Sequence, residues 1–426
     1  MSPALLPPIP PALRALEAVY IGPAARLAVG GAPIHVRPEL AIPRDAATLR
    51  DAHPALAPDP HRRGSLLADR WRVWPAPDGI EAFLTARAIP ADAFAVRPDG
   101  GLVDPLDGFA DFRAGQLRVP DAAWGRRDAL PVEIPALVGE LAARVDDGLV
   151  ERLAEHAHHV FRADRHELRA ALTRLLVSRR AAGMLALLAR SGVLAYVLPE
   201  AAALVDFHRS SRHHHKDVWN HTRVVVRQAV PRPVIRWAAL MHDIGKAHTR
   251  GYAPGGKVHF LRHDELGAMM FEGIAHRLDF PPALGERIRL LVLHHLRAGM
   301  YLPEWTDAAV RRFAADMGPV LDDLLLLSRA DVTSRRPGKR RAAMFSLKAL
   351  RDRIDAVRAA DAAARPQVPK GLGTEIIRAL GVPPGPRVGE LRRCCEEAVR
   401  DGRLPPSPDL DACLRFLRAI VERDAA

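Results

Sequence analysis

An ordered series of histidine and aspartate residues restricts the fold of this chain more than any other feature of its sequence. The series comprises His221, the adjacent pair His242 and Asp243, then His263, His295 and Asp331. Each member lies in a segment whose apolar residues recur at helical spacing. Imidazole nitrogen and carboxylate oxygen are suitable ligands for divalent ions. We therefore expect several helices to converge on one metal site built from these six residues.

The adjacent pair His242 and Asp243 indicates a wide helical face turned toward the metal. Neighbouring residues on a helix project about 100° apart, so only such a face lets both side chains reach one cluster. An aspartate can bridge two cations that lie about 3.5–4 Å apart. Lys246 follows one turn later, where its ammonium group can balance phosphate charge, and Gly245 allows backbone or ligand to approach closely. The sequence therefore predicts catalytic roles for Asp243 and Lys246.

A single histidine on a helix has an ordinary alternative explanation. It is more often a hydrogen-bonded core residue or a solvent-facing residue than a metal ligand. The run His213, His214 and His215 fits that explanation. Six ligand-type residues in order, all in helical context, do not, so we prefer the metal site.

Composition and charge leave two interpretations of the partner open. Hydrophobic residues make up 48% and charged residues 26% of the chain, as in soluble globular proteins, and the aromatic fraction of 5% favours helices over sheets. The net charge of +12 suits a polyanion such as RNA or a phosphorylated ligand. It fits equally well an arginine-rich chain whose helix faces are merely solvated.

The 426 residues predict two to four domains in series. Short segments such as RLAVGG and WRVWPA predict strands in a small α/β domain at the amino terminus, and helical spacing dominates from about residue 132 onward.

The three cysteines Cys394, Cys395 and Cys413 form no metal-binding or disulfide pattern, which favours the cytoplasm. The most apolar stretch, 184–204, is interrupted by charged residues and proline, so we expect no membrane span.

The segments around the histidine and aspartate series resemble a known family. HHHKDVWNHT, IRWAALMHDIGKAHTR, RHDELGA, LHHLR and LLLLSRADVTSRRPGKRRA resemble the HD portion of bacterial tRNA nucleotidyltransferases, the CCA-adding enzymes, within the HD superfamily of metal-dependent phosphohydrolases. LGVPPGPRVGELRRCCEEAVRDGRLP resembles their helical tail, so the likeness runs at least from His208 to Pro405. The family's usual Leu-His-Leu-Arg pattern favours His295 as the ligand, with His294 as the alternative.

The amino-terminal segment resembles the nucleotidyltransferase head of the same family, with changes where that family carries its chemistry. In LAVGGAPIH the glycine-rich turn is kept, but Pro33, Ile34 and His35 replace the residues that follow it. ELAI occupies the position of the family's metal-binding Asp-x-Asp motif. Glu39 can still bind a cation there, whereas Ala41 cannot.

Further departures affect the third carboxylate and the nucleotide-binding arginines that the resemblance implies. Ala88 stands at the carboxylate position, and Pro131, Ile134 and Leu137 stand where arginines are expected. Two-metal nucleotidyl transfer needs carboxylates for the cations and cationic groups for the triphosphate. These departures predict a degenerate head in which nucleotidyltransferase activity is doubtful.

The predicted fold class is therefore mainly α, with a small degenerate α/β nucleotidyltransferase-like head followed by helical segments. The predicted boundaries are 1–125 for the head, 126–207 for a helical connector, 208–345 for the HD domain and 346–426 for a helical tail.

The predicted function is that of a divalent-metal-dependent phosphohydrolase, acting as a phosphomonoesterase or cyclic phosphodiesterase on a nucleotide or an RNA 3′ end. Two alternatives remain open: an active tRNA CCA-adding nucleotidyltransferase, and a non-catalytic RNA-binding protein with a structural metal site. The cofactor is one or two divalent ions, and Mg, Mn, Zn, Fe, Ni and Co are not distinguished.

The expected partner is a phosphorylated nucleotide or an RNA such as tRNA, and the sequence does not indicate an oligomeric state. The densest basic run supplies the candidate phosphate contacts Arg335, Arg336, Lys339, Arg340 and Arg341. The same run also fits a solvated helix end without a ligand.

Overall fold

The structure is a computed structural model. It describes residues 9–28, 38–59, 64–68, 71–87, 89–209, 217–253, 258–334, 336–364 and 368–424. The chain divides into two compact units, one formed by Met1–Pro303 with Met317–Lys348 and the other by Glu304–Asp316 with Ala349–Ala426.

A seven-stranded mixed sheet forms the core of the amino-terminal head. Its strands are β1 (Val19–Ile21), β2 (Glu39–Ile42), β3 (Ala57–Pro58), β4 (Leu66–Ala68), β5 (Trp71–Pro75), β6 (Ala95–Val96) and β7 (Leu102–Val103). In the order β3-β4-β5-β2-β1-β6-β7, every neighbouring pair is antiparallel except β2 and β5. The central strand β2 is buried along its whole length, which fits its mainly apolar sequence ELAI.

In the described part of the head, five short helices accompany this sheet. They are α1 (Pro11–Arg14), α2 (Gly22–Ala28), α3 (Ala46–Ala52), α4 (Ile80–Ala86) and α5 (Gly108–Ala114). The predicted strand in WRVWPA is confirmed as β5. The prediction of a strand in RLAVGG is wrong for Arg26 to Ala28, because these residues form the end of α2. Alanine, arginine and leucine favour a helix, and a proline such as Pro23 is tolerated in the first helical turn. The rest of that segment lies outside the described residues.

Helices alone occupy the connector. They are α6 (Asp121–Trp124), α7 (Leu130–Leu141), α8 (Asp147–Glu155), α9 (Arg165–Val177), α10 (Ala181–Arg190), α11 (Val193–Val197) and α12 (Pro199–Arg209). Asp146 and Asp164 begin α8 and α9, because each carboxylate accepts hydrogen bonds from backbone N–H groups of the first turn. The buried helix α7 packs against α9.

A second set of helices surrounds the predicted metal ligands. It contains α13 (Val218–Gln228), α14 (Pro233–Met241), the hairpin strands β8 (Arg250–Tyr252) and β9 (Val258–Phe260), α15 (His263–Arg277) and α16 (Pro282–His294). α17 (Asp307–Met317) falls almost wholly in the second compact unit, and α18 (Leu321–Asp331) and the first part of α19 (Pro337–Ala364) return to the first. α14 is buried from Ile235 to Met241 and packs against α9, α13, α16 and α18. The end of this central helix therefore lies deep inside the protein.

The chain ends in three further helices with their own apolar core. They are α20 (Leu372–Leu380), α21 (Pro386–Arg400) and α22 (Leu410–Asp424). Ile376, Leu391, Cys395 and Leu417 belong to this core, and burial raises the pKa of the Cys395 thiol to about 12.

The predicted fold class, mainly helical with a small mixed sheet, is confirmed. Among the described residues no helix is both long and apolar enough to cross a membrane.

Candidate functional site

Helix ends bring the six predicted metal ligands together. His221 lies on α13, His242 follows the end of α14 with Asp243 next to it, His263 begins α15, His295 follows α16, and Asp331 ends α18. We call these six residues the histidine–aspartate centre. His242 and Asp243 are wholly buried, because they continue the central helix α14.

Hydrogen bonds to the backbone fix the orientation of three histidine rings. The Nδ1–H groups of His242, His263 and His295 donate to backbone carbonyl oxygens three residues earlier, over 2.9, 2.8 and 2.7 Å. A carbonyl oxygen can only accept, so Nδ1 carries the proton and the Nε2 lone pair of a neutral ring is available. Histidines that bind metals are typically held by such a second hydrogen bond.

The available nitrogens face each other in pairs. The Nε2 atoms of His221 and His242 are 3.3 Å apart, as are those of His263 and His295. Two unprotonated nitrogens would repel at this distance, and either a metal cation between them or a proton removes that repulsion. Burial opposes protonation of His242, but Asp243 and Asp331 raise its pKa. The ligand atoms form two groups, His221 with His242 and Asp331, and Asp243 with His263 and His295, and within each group all lie within 4.8 Å of one another. This donor set fits divalent metal ions.

Asp243 lies between the two groups. One carboxylate oxygen, Oδ2, is 3.2 Å from His242 Nε2, and the other, Oδ1, is 3.5 Å from His263 Nε2 and 3.7 Å from His295 Nε2. A carboxylate placed in this way can bridge two cations. Burial opposes its charge, but His242, His263 and Lys246 hold the pKa of Asp243 well below its usual range.

Burial and charge also act on the outer members of the centre. Burial raises the pKa of Asp331, but the larger opposing effect of His221 and His242 lowers it to about 2. Burial lowers the pKa of His295 to about 4. Asp331 is therefore a carboxylate and His295 a neutral ring at neutral pH, and these are the forms that bind metals.

Lys246 and Gly245 lie in the turn that follows Asp243. Lys246 Nζ is 2.7 Å from Asp243 Oδ2, so the ammonium group predicted to contact phosphate forms an ion pair with the central carboxylate. A Cβ atom on Gly245 would lie 2.1 Å from the backbone oxygen of His263. The close approach predicted for Gly245 is therefore an approach of two backbones, and it sets the distance between the turn and α15.

The structure separates the two candidates for the fourth histidine. His295 is 4% exposed and belongs to the metal-ligand group, whereas His294 is the last residue of α16 and belongs to neither group.

An open cleft of about 1390 Å³ adjoins the histidine–aspartate centre, with His221 and Thr333 in its wall. Four residues of the predicted basic run line it, namely Arg336, Lys339, Arg340 and Arg341. Arg335 lies outside the described residues. The structure adds Arg227 on α13, which the sequence interpretation missed because this residue is far from the basic run along the chain.

In the head, Glu39 occupies the start of β2 and is 3% exposed. Its Oε1 atom is 3.2 Å from Arg72 Nη1, and its Oε2 atom accepts a hydrogen bond of 3.1 Å from Trp74 Nε1. Ala41, two residues later, is buried in the sheet. The glycine-rich turn and Ala88 lie outside the described residues.

A cavity of about 310 Å³ lies between the head and the connector. Its wall contains two aromatic and three cationic side chains, namely Trp74, Phe83, Arg87, Arg127 and Arg174. Leu137, one of the three residues that replace expected arginines, is also part of the wall. The sequence interpretation did not identify Arg87 and Arg174 as site residues, because they are 87 residues apart along the chain and neither belongs to a motif.

Ion pairs bind each of the three cavity arginines to a carboxylate, and Arg127 Nη2 lies 2.6 Å from Glu133 Oε1. Asp92 accepts from Arg26 Nη1 at 2.6 Å and from Arg87 Nη2 at 2.5 Å, and Glu140 accepts from Arg26 Nη2 and Arg174 Nε, both at 2.8 Å. We call these five residues the arginine–carboxylate network. Burial raises the pKa of Asp92, but Arg87 and Arg26 hold it well below its usual range, and Arg174 likewise lowers the pKa of Glu140 against its burial.

Comparison with known proteins agrees with both parts of this arrangement. The HD domain family matches residues 213–336, which contain the histidine–aspartate centre. An A-adding tRNA nucleotidyltransferase of Deinococcus radiodurans is 32% identical, with 76% of each chain covered. A CC-adding tRNA nucleotidyltransferase of Thermus thermophilus is 34% identical over 67% of this chain and 66% of its own length. The fold matches a crystal structure of the Bacillus stearothermophilus CCA-adding enzyme in complex with CTP, with a TM-score of 0.51 and 18% identity, over 98% of this chain and 100% of that one.

Residues 213–336 are thus an HD domain. The chain as a whole belongs to the family of tRNA nucleotidyltransferases. The predicted family resemblance is confirmed, and so is the expectation of divalent metal cofactors.

The prediction of a phosphohydrolase is wrong. The similar proteins are named as tRNA nucleotidyltransferases, which favours the alternative that the sequence left open. The same relatives overturn the prediction that nucleotidyltransferase activity is doubtful. The error has a physical origin, because a metal-ligand series defines a centre without defining the reaction that the whole chain carries out.

Proposed function

We propose that this protein acts at the 3′ end of tRNA as a nucleotidyltransferase that adds nucleotides from CTP or ATP. One observation carries the proposal: the chain is 32% identical to an A-adding tRNA nucleotidyltransferase over 76% of its length. The fold of the CCA-adding enzyme bound to CTP, which spans nearly the whole chain, supports it.

The cavity of the head supports the same proposal by its chemistry. Its volume lies within the range of small-molecule sites. Trp74 and Phe83 offer aromatic surface to a nucleobase. Arg87, Arg127 and Arg174 are paired with Asp92, Glu133 and Glu140, so they would hold a triphosphate by exchanging carboxylate contacts for phosphate contacts. These arginines come from positions outside α7 and reach the same cavity wall as Leu137, which stands where an arginine was expected.

In the proposed reaction, the 3′-oxygen of tRNA attacks the α-phosphorus of the nucleoside triphosphate. A phosphodiester bond forms as the bond between the α-phosphorus and the oxygen that bridges it to the β-phosphorus breaks. Pyrophosphate leaves, and the proton of the 3′-hydroxyl passes to a base. The arginines would hold the triphosphate in line for this attack. Among the described residues, no group of three metal-ligand side chains lies around Glu39, so we assign no step of the reaction to a metal in the head.

A second candidate function is binding of tRNA without nucleotide addition. It is favoured by the setting of Glu39, because this buried carboxylate accepts from Arg72 and Trp74 and, among the described residues, belongs to no group of three metal-ligand side chains. Ala41 and Ala88 cannot replace it as cation ligands.

Incorporation of labelled CTP or ATP into tRNA that lacks its terminal nucleotides separates the two candidates. Transfer is expected with the wild-type chain and is expected to fall strongly in Glu39→Gln, because the Glu39 carboxylate pairs with Arg72 and holds the cavity-wall side chain Trp74 in place. Glu81→Gln on the exposed face of α4 is the matched control. Binding of tRNA without any incorporation would contradict the first candidate and support the second.

We further propose that the six residues of the histidine–aspartate centre bind divalent metal. The support is the pairwise approach of Nε2 atoms whose rings are fixed by Nδ1 hydrogen bonds. Elemental analysis of the purified chain is expected to find metal in the wild type and much less in Asp243→Ala, since both groups lose the shared carboxylate. Asp264→Ala in the first turn of α15 is the control that should keep its metal. Equal metal content in all three proteins would contradict the assignment.

A further inference from the structure

Unpaired positive charge is concentrated on the cleft beside the histidine–aspartate centre. Arg227 of α13 and Arg336, Lys339, Arg340 and Arg341 at the start of α19 line it, and all five are exposed. Among the described residues none of these five side chains has a carboxylate partner, whereas the arginines of the head network are all paired. Among the cleft-wall residues that the structure describes, Asp217 is the one acidic side chain. Such an excess of free cations fits a polyanion.

An exposed aromatic ring continues this basic surface. Phe345 lies on α19 four residues after Arg341, so the two side chains share one face of the helix. The Phe345 side chain is 75% exposed, which leaves most of its ring in water. A basic track that leads to an exposed ring is the arrangement with which proteins hold the phosphates and stack a base of a single strand.

The volume of the cleft and the exposed Phe345 ring beside its basic side chains limit the class of ligand. Its volume of about 1390 Å³ exceeds the usual range for small-molecule sites. The bases of a duplex are stacked on each other and cannot reach an aromatic ring, so only an unpaired strand can use Phe345.

We propose that the cleft and the start of α19 bind a single-stranded segment of RNA, separately from the cavity of the head. The phosphates contact Arg227, Arg336, Lys339, Arg340 and Arg341, and one base stacks on Phe345. The choice of RNA over other polyanions rests on the proposed function, whereas the requirement for an unpaired strand rests on Phe345.

The probe for this proposal is a fluorescein-labelled oligouridylate of about 12 nucleotides, a length within the range of single-strand sites. Its anisotropy is measured with the full chain at several salt concentrations. The double substitution Arg340→Glu and Arg341→Glu is expected to weaken binding by at least about tenfold, and the loss of two cation contacts is expected to reduce the slope of log K against log salt by about 1.4. Arg190→Glu, an exposed arginine of α10, is the matched control and should leave both quantities unchanged.

Phe345→Ala tests the stacking contact by itself. It is expected to weaken binding about tenfold with no change in the salt slope, because the ring carries no charge. Phe161→Ala is the control, since its side chain is equally exposed at 76% but lies in the connector. Duplex RNA of the same length that binds as tightly as the single strand, a polyglutamate peptide that competes equally well, or full affinity in Phe345→Ala would each overturn the proposal.

The same variants distinguish failure of this inference from failure of the proposed function. Glu39→Gln is expected to lose nucleotide incorporation while it binds the oligonucleotide normally. A wild-type chain that incorporates no nucleotide but shows the predicted oligonucleotide binding contradicts only the proposed function. Full incorporation with no oligonucleotide binding contradicts only this inference.

Discussion

The arginine–carboxylate network of the head and the histidine–aspartate centre of the HD domain both bury charged groups, but they compensate those charges differently. In the head, Asp92 and Glu140 contact guanidinium groups at 2.5 to 2.8 Å, so the protein supplies its own counter-charge. In the HD domain, histidine Nε2 atoms face each other at 3.3 Å with carboxylates nearby. The first arrangement is complete as a structural element. The second has one cation of the chain itself, Lys246 beside Asp243, and under our proposal a divalent metal ion would supply the rest of the positive charge.

Breaking the arginine–carboxylate network should have the largest effect on stability. Arg174→Met leaves Glu140 with Arg26 as its remaining partner in the network, so the expected cost is about 3 kcal/mol of unfolding free energy, the lower end of the range for a broken buried ion pair. Urea unfolding measures the loss. The double variant Arg174→Met with Glu140→Leu should be less destabilised than the single one, and equal or greater loss in the double variant would show that the network does not act by charge compensation.

The HD domain should be most sensitive to the backbone contact at Gly245. Gly245→Ala places a methyl group 2.1 Å from the His263 carbonyl oxygen, so α15 must shift, at a cost of about 2–3 kcal/mol and with loss of bound metal. Gly273→Ala, on the exposed face of the same helix with nothing within 4 Å, should instead raise stability by about 0.5–1 kcal/mol. Thermal unfolding and metal content of the two variants check this, and similar behaviour of both would refute it.

Acid should act on the head through its carboxylates. The folded-state pKa values of Asp92 and Glu140 lie below their unfolded values near 4, so their stabilising contribution is fully present above about pH 4 and is lost as the pH falls below it. The urea midpoint of the wild type should therefore be lower at pH 3, below that threshold, than at pH 5, above it. Glu140→Gln should be less stable than the wild type at neutral pH and should show a smaller acid-induced decrease.

The smallest expected effect concerns Lys246. Its ammonium group competes with a divalent ion for the Asp243 carboxylate, so Lys246→Met is expected to raise the affinity for Mn²⁺ by roughly tenfold. Calorimetric titration of metal-depleted protein measures the change. Weaker binding in Lys246→Met would mean that the ion pair positions Asp243 rather than competing for it.

Much of the HD domain could be predicted from the sequence, because ligand-type residues in order on helical segments permit few arrangements. The preference for His295 over His294 agrees with the placement of His295 in the buried group. The contacts of Lys246 could not be predicted in the same way, since a lysine one turn from a metal ligand can extend toward solvent, phosphate or a carboxylate. The head was harder still, because the substitutions at Ala41, Ala88 and Pro131 show what is missing and give no sign of Arg87 and Arg174.

By itself, the sequence determined the helical character of most of the chain, the family and the membership of the histidine–aspartate centre. These properties depend on local periodicity and on the chemistry of individual side chains, which the order of residues displays directly. The tertiary structure alone decided which carboxylates the arginines neutralise, how Asp243 is shared between two ligand groups, and that Arg227 and Phe345 border one basic surface. Each of these depends on distances between residues far apart in the chain, and only the packing of helices and sheet sets such distances.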